Sequence, residues 1–402
     1  MSNTIRVCSL ISILGLVIAG AGVQAQEQAH RKIVVFKSGA LNEPARDRLV
    51  LRAGGIKVKN LDLIEGKVVL LPSLAAEAAL RSHPAVLRVD DDVIVTTLER
   101  GNAARHRNGG EAGALAQVLP WGINRIDAEL VWPSGNSADP IKVGVIDTGI
   151  SLSHPDLAAN IKGQYNAINP TKSANDDNGH GSHVAGIIAA LNNSIGVVGA
   201  GPLIDLHAIK VLNKNGSGFL SDVIEGIDVA IQRKLHLINL SLGTSSNVQS
   251  FHDAIIRAKA AGLVVVAAAG NTGGAVVYPA AYPESIAVSA TDINNVIASF
   301  SSRGPEVDLA GPGVSIYSTY KGTGYKTLSG TSMAAPHVAG SAALLLAASL
   351  LNPGLCDTIT VNGSCDPDEV QAKLQSSAID LGAVGFDPLY GWGLVNAFAA
   401  TQ

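Results

Sequence analysis

The chain has 402 residues, of which 47 % are hydrophobic, 15 % charged and 4 % aromatic, with a formal net charge of −4. High hydrophobicity with little charge excludes a disordered chain, the near-neutral balance argues against a basic nucleic-acid binder, and three cysteines are too few for a disulfide scaffold of this size. The 43 glycines follow no period of three, so a collagen-like chain is excluded as well.

In chain order, residues 1–25 read as a secretory signal: Arg6, an apolar run from Val7 to Val23, then the small-x-small site Val23-Gln24-Ala25. A membrane anchor is the other reading, but the run falls just short of the ~18–20 residues a span needs. Residues 26–115 read as a small α+β unit, with strands at Lys32–Lys37, Lys67–Leu71 and Val86–Val95 and helices at Asn42–Ala53 and Leu74–Arg81. Gly101–Gly113 is polar and glycine-rich and predicts an exposed linker. Residues 26–115 carry 14 basic and 11 acidic side chains, whereas 116–402 carry 14 and 22. From Ala116 to Gln402 strands and helices alternate. Ile141–Asp147, Leu206–Leu212, Leu237–Leu242 and Leu263–Ala269 are short apolar runs that suit strands buried on both faces. Gly181–Leu191, Leu220–Arg233, Gln249–Ala261 and Ser332–Leu351 read as helices. The prediction is an α/β domain, a mostly parallel central sheet with helices on both faces. Such sheets bind ligands beyond the carboxyl ends of their strands, where Asp147, Ser241 to Gly243 and Asn271 fall.

Three glycine-flanked segments carry chemistry: Val145-Ile146-Asp147-Thr148-Gly149, Asn178-Gly179-His180-Gly181-Ser182-His183 and Gly330-Thr331-Ser332-Met333-Ala334-Ala335-Pro336-His337. They supply an acid, a base and a nucleophile. A serine hydroxyl becomes a competent nucleophile when an imidazole accepts its proton, and a buried carboxylate holds that imidazole in the right tautomer. Ser332 opens a helix, and Pro336 is expected in its first turn, where proline is tolerated. His183, three residues after His180, lacks a metal-binding arrangement, and a packed structural role is expected for it, for His154 and for His337.

These segments, in the order Asp, His, Ser, resemble the subtilisin-like serine peptidases (subtilases). The resemblance covers nearly all of 116–402. It implies that Asp147 orients the imidazole, His180 acts as general base then acid, Ser332 attacks the scissile carbonyl, and Asn271 donates its amide to the oxyanion beside the Ser332 N–H. It implies a cleft that takes peptide as an added antiparallel strand, one wall at Ser241, Leu242 and Gly243 and the other at Ser217 and Gly218 after Gly216. Val277 stands before Tyr278-Pro279 where a glycine is common, which predicts a pocket for small to medium apolar side chains. Leu191-Asn192-Asn193-Ser194-Ile195-Gly196-Val197 resembles the family's calcium loop; the backbone carbonyls of Leu191, Ile195 and Val197, the Asn193 and Gln117 side chains and the Asp156 carboxylate would be the ligands of a structural Ca2+. Export favours a disulfide between Cys356 and Cys365 over free thiols. Residues 26–115 resemble the family's inhibitory propeptide, a ferredoxin-like fold acting as intramolecular inhibitor. Its tail, Thr96–Leu115, would lie in the active site before self-cleavage, with the mature end near Ala116.

The expected product is thus a monomeric serine endopeptidase acting on proteins and peptides. It would be made as a zymogen (signal 1–25, propeptide 26–115, peptidase 116–402) and released to the medium or a periplasm. No nucleic-acid partner is expected, and no membrane after signal removal. The alternative is a catalytically silent protein of the same fold used for binding. A nucleotide-binding α/β protein is disfavoured, since no G-x-G-x-x-G or P-loop follows a strand.

Overall fold

The computed structural model describes residues 30–99, 116–357, 359 and 363–402; the expected signal and the Gly101–Gly113 linker lie outside them. The chain divides into two compact units, Met1–Val93 with Val248–Ser250 and Ile94–Asn247 with Phe251–Gln402.

In the first unit four antiparallel strands, β1 (Arg31–Phe36), β2 (Ile56–Leu61), β3 (Gly66–Leu70) and β4 (Val86–Asp91), lie in the order β2-β3-β1-β4. Helices α1 (Glu43–Arg52) and α2 (Leu74–Arg81) connect them. Asn42 and Ser73 cap the two helices by accepting from Ala45 N and Ala76 N, which satisfies amides that open helices leave free. Val34, Phe36, Val50, Val69, Leu71, Leu80 and Val89 form the core. Strand β2 has no counterpart in the sequence reading: it is an edge strand with Ile56, Lys57, Val58 and Asn60 exposed, so no apolar run marks it.

The stretch Val86–Val95 is not one strand. β4 stops at Asp91, the Asp92 carboxylate is buried in an ion pair with Arg31 at 2.6 Å, and a separate strand β5 (Ile94–Thr97) begins in the second unit.

The second unit is built on seven parallel strands: β6 (Lys142–Asp147), β7 (Ile161–Asn166), β8 (Asp205–Lys210), β10 (Leu237–Leu240), β12 (Val264–Ala268), β13 (Ile286–Thr291) and β14 (Leu309–Pro312). Their order is β14-β13-β12-β10-β6-β8-β7. The apolar runs at β10 and β12 are buried at every residue, as a sheet covered on both faces requires. The sequence reading missed three of the seven: β7, which is polar and half-exposed at one edge; β13, fully buried, whose Ser289 and Thr291 interrupt its apolar run; and β14, whose Gly311 and Pro312 read as breakers at the other edge. Leu237–Leu242 breaks at Ser241: β10 ends at Leu240, and Leu242–Gly243 forms a short strand, β11, in a different sheet. That sheet has the order β11-β5-β9, with β9 at Ser217–Phe219.

The longer helices are α3 (His180–Ala189), α4 (Leu220–Gln232), α5 (Gln249–Ala260), α6 (Thr331–Leu351) and α7 (Pro367–Ser376). Helix α6 is long and apolar enough to cross a membrane, yet Thr331 to Ala347 are all buried in the core of this unit. Cys356 and Cys365 form a disulfide.

Candidate active site

Asp147 ends the buried strand β6, and its carboxylate has no solvent exposure. His180 opens α3 with its Nδ1 at 2.8 and 2.9 Å from the two Asp147 oxygens. The approach depends on glycine: a Cβ at Gly181 would lie 2.1 Å from the Gly149 carbonyl oxygen, and Gly179 turns into the helix with φ +118°. The first turn of α3 is held by Asp176, which the sequence reading did not single out. Its carboxylate accepts from the amides of Asn178, Gly179 and Ser182 and from the Ser182 and Thr148 hydroxyls. Thr148 Oγ1 in turn accepts from Gly181 N at 2.9 Å. A carboxylate at a helix N-terminus both satisfies free amides and meets the positive end of the dipole. No motif distinguishes such an aspartate from an ordinary turn residue.

Burial works against a charge on His180, but the Asp147 carboxylate, with Glu99 and Asp176 nearby, outweighs it and raises the imidazole above its ordinary 6.5. His180 Nε2 is buried and has no hydrogen-bond partner. Ser332 Oγ donates instead to the Ser241 carbonyl at 3.0 Å. Ser332 is the second residue of α6, fully buried. Pro336 falls in the second turn of α6, not the first. Lacking an N–H, it leaves the Ser332 carbonyl without its usual helical donor, and Ser241 Oγ supplies one at 2.9 Å. Ser241 therefore fixes Ser332 from both sides.

Asn271 follows β12. Its Oδ1 accepts from Thr331 N and Oγ1 at 2.9 and 3.0 Å, which turns Nδ2 outward. Nδ2 donates to the Leu98 carbonyl at 2.5 Å, and Ser332 N approaches the same oxygen at 3.4 Å. Thr331 had not been identified as a site residue, since as one polar residue in a motif it carries no separate signal.

Leu98 belongs to the segment that enters the second unit as β5. The strand lies antiparallel between β9 and β11, pairing Val95 with Gly218, Thr96 with Ser217 and Gly243, and Thr97 with Leu242. Leu98 N donates to Ser241 O at 3.3 Å, and Thr97 N to Gly216 O at 2.9 Å. The residues read as cleft walls, Ser217, Gly218, Ser241, Leu242 and Gly243, thus flank one extended segment. A Cβ on Gly243 would stand 2.8 Å from Val277 Cγ2 and 3.2 Å from Leu98 Cδ1, so Val277 closes the space behind Gly243 that the Leu98 side chain faces.

The residues read as calcium ligands also converge. Asp156 Oδ1 accepts from Asn193 Nδ2 at 2.8 Å, and its Oδ2 from Val197 N and the Tyr325 hydroxyl. Gln117 Nε2 touches the carbonyl oxygens of both Leu191 (2.8 Å) and Val197 (3.3 Å). A carboxamide rotated by 180° exchanges oxygen for nitrogen in the same envelope. The set then offers the Asp156 carboxylate, the Gln117 oxygen and the Leu191 and Val197 carbonyls, oxygen donors that suit a hard cation, while Asn193 Oδ1 accepts from Ile195 N at 2.8 Å. Among the described residues no three His, Cys, Asp or Glu side chains cluster to hold a metal.

The three histidines expected to be structural each have a carbonyl partner. His183 Nε2 faces the carbonyls of Ile316 (3.1 Å) and Lys326 (2.9 Å), and burial pushes it down to about 3. His337 Nδ1 donates to Met333 O at 2.8 Å, and His154 Nε2 to Gly324 O at 3.0 Å. Burial lowers both, His337 to about 4.

A profile described as the Subtilase family matches residues 138–393. "Alkaline protease" of Shouchella clausii is 43 % identical over 325 residues, 81 % of this chain and 76 % of its own length. "Subtilisin Savinase" of Lederbergia lenta is 46 % identical over 288 residues, 71 % of this chain and all of its own. "Alkaline elastase YaB" of Bacillus sp. (strain YaB) is 40 % identical over 325 residues, with 81 % and 76 % covered. The fold and these matches lead to one conclusion: the chain belongs to the subtilase family and is a serine endopeptidase.

Proposed function

We propose that this chain is a secreted, self-processing zymogen whose peptidase cuts proteins through Asp147, His180 and Ser332. The observation that carries this reading is the Leu98 carbonyl. It accepts from Asn271 Nδ2 and approaches Ser332 N, while its strand is held antiparallel on both edges. Two donors converging on the carbonyl of an added strand are what stabilisation of a tetrahedral oxyanion requires.

In the reaction a rotation of Ser332 about χ1 turns its Oγ from Ser241 O toward His180. His180 Nε2, buried and without a partner, accepts the proton as Oγ attacks the carbonyl carbon. Asp147 keeps Nδ1 protonated and stabilises the imidazolium. Asn271 and the Ser332 amide hold the oxyanion. His180 then protonates the departing amine, and a water activated the same way releases the acyl group from Ser332.

Val277 behind Gly243 supports a preference for small to medium apolar residues before the scissile bond. Peptide esters of Ala, Leu and Phe test it; a strong Phe preference would sink it. Gln117, Asp156, Leu191, Asn193, Ile195 and Val197 would hold Ca2+, which would brace the loop and take no part in the chemistry. Secretion rests on the 1–25 pattern, the inhibitory role of the first unit on its α+β fold, and the monomeric state on the family resemblance. The overall test is casein hydrolysis with and without a serine-directed covalent inhibitor. Loss of activity on modification of Ser332 is expected. A folded protein with no hydrolysis at all would favour the silent binding alternative.

A further inference from the structure

We propose that the Leu98–Glu99 peptide bond is the first bond this enzyme cuts in its own chain, so that the released peptidase begins at Glu99 and not at Ala116. This rests on the self-processing reading above and deepens it by naming the bond.

Leu98 meets the requirements of a scissile residue at each of its groups. Its carbonyl oxygen is bound by Asn271 Nδ2 and faces Ser332 N, and its amide donates to Ser241 O. Its side chain packs towards Gly243, in front of Val277. The chain continues past the nucleophile. A Cβ on Gly330 would stand 2.6 Å from the Leu98 oxygen and 3.2 Å from Glu99 Cα, so Gly330 leaves room for both sides of the bond. The Glu99 carboxylate lies close enough to His180 to raise its pKa, which puts the residue after the bond beside the base.

Ala116 is anchored elsewhere. Ala116 bridges Ile195, Gln117 N donates to Ser194 O at 3.1 Å, and Val118 N to Gly196 O at 2.8 Å. Cutting there would require these contacts to open and β5 to leave its place between β9 and β11. Residues 99–115 separate the two anchor points in sequence, a length that spans up to roughly 55 Å when extended. A cut after Leu98 disturbs neither anchor.

The step balances within the chain. Ser332 Oγ bonds to the Leu98 carbonyl carbon as the Leu98–Glu99 C–N bond breaks. The serine proton passes through His180 to the new Glu99 amine, and one water hydrolyses the ester to a Leu98 carboxylate.

The test is a time course of the full-length chain, read by intact mass and N-terminal sequencing, beside Ser332→Ala. The first new terminus is expected at Glu99, paired with a fragment ending at Leu98, while Ser332→Ala stays uncut. A first Ser332-dependent terminus at Ala116 overturns the assigned bond and leaves self-processing standing. Equal cutting in Ser332→Ala overturns self-processing itself. Leu98→Asp, a charge facing an apolar pocket, is expected to slow appearance of the Glu99 terminus at least tenfold, whereas Leu115→Asp does not; the reverse pattern overturns the proposal. The time course on the unaltered chain decides the matter whether or not the Leu98 variant folds.

Discussion

The two ends of helix α3 solve opposite problems. At its N-terminus His180 keeps a buried ring nitrogen without a partner, while the Ser332 hydroxyl is parked on the Ser241 carbonyl. Beyond its C-terminus, Asn193 donates to Asp156, and Asp156 and Gln117 each bind the surrounding loop. In the proposed mechanism one end holds hydrogen-bonding capacity in reserve for the reaction, whereas the other uses it to brace the fold. His183, one turn from His180, also keeps one buried ring nitrogen, Nδ1, without a partner; both histidines are fully buried, but His180 faces a carboxylate and is raised, whereas His183 faces carbonyls and burial lowers it. Burial alone therefore does not set a histidine's role; the partner does.

This contrast predicts that substitutions at one end change rate without stability, and at the other the reverse. The largest effect is expected for Ser332→Ala or His180→Ala. Each should lower kcat about a million-fold, a size known for nucleophile or base removal in subtilisins, with the melting temperature nearly unchanged. Asn271→Leu should cost about 100- to 1000-fold in kcat with little change in KM, because the lost donor acts on the oxyanion. An equal loss in both variants' stability would break the comparison.

At the bracing end, His183→Leu strands the Ile316 and Lys326 carbonyls and should destabilise by about 1–3 kcal/mol in urea unfolding. The enzyme that remains folded should keep its kcat. Chelation should lower the melting temperature by the equivalent of about 3 kcal/mol if calcium had been present at a hundredfold its Kd. An unchanged melting temperature would mean that the loop binds no cation.

The smallest effects concern pH. His180 must be neutral to accept a proton, and its pKa is raised, so the acid limb of kcat/KM should lie above 6.5. Glu99→Gln removes one of the charges that raise it and should shift the self-processing limb to lower pH. His183 has the opposite sign. Its folded pKa of about 3 lies below the ordinary 6.5, so the unfolded chain takes up the proton first, and the stability it contributes is lost as pH falls below 6.5.

Much of the active end was legible in the sequence because its residues sit in rigid motifs, where glycines at 179, 181 and 330 are demanded by close approach. The residues that orient the site were not. Asp176 and Thr331 act through backbone amides and an amide side chain, contacts any turn aspartate or threonine makes, and only their positions distinguish them. The break between β4 and β5 was hidden for a different reason. Apolar residues flank Asp90–Asp92 on both sides, and nothing local reveals that the Asp92 carboxylate pairs with Arg31, 61 positions earlier. Reading one strand there concealed the segment that ends at Leu98. The orientation of Gln117 was equally hidden, since a carboxamide presents oxygen or nitrogen according to its neighbours.

Helix α6 carries Ser332, the proposed nucleophile, on a stretch long and apolar enough to cross a membrane, buried from Thr331 to Ala347. Its first turn has no fixed position until that core has closed. Ser332, Asn271 and His180 come from three separate elements, so they meet only as the last consequence of packing. Hydrolytic power is therefore tied to completion of the fold. A half-folded chain, the form most easily cut, has no assembled site with which to cut its siblings.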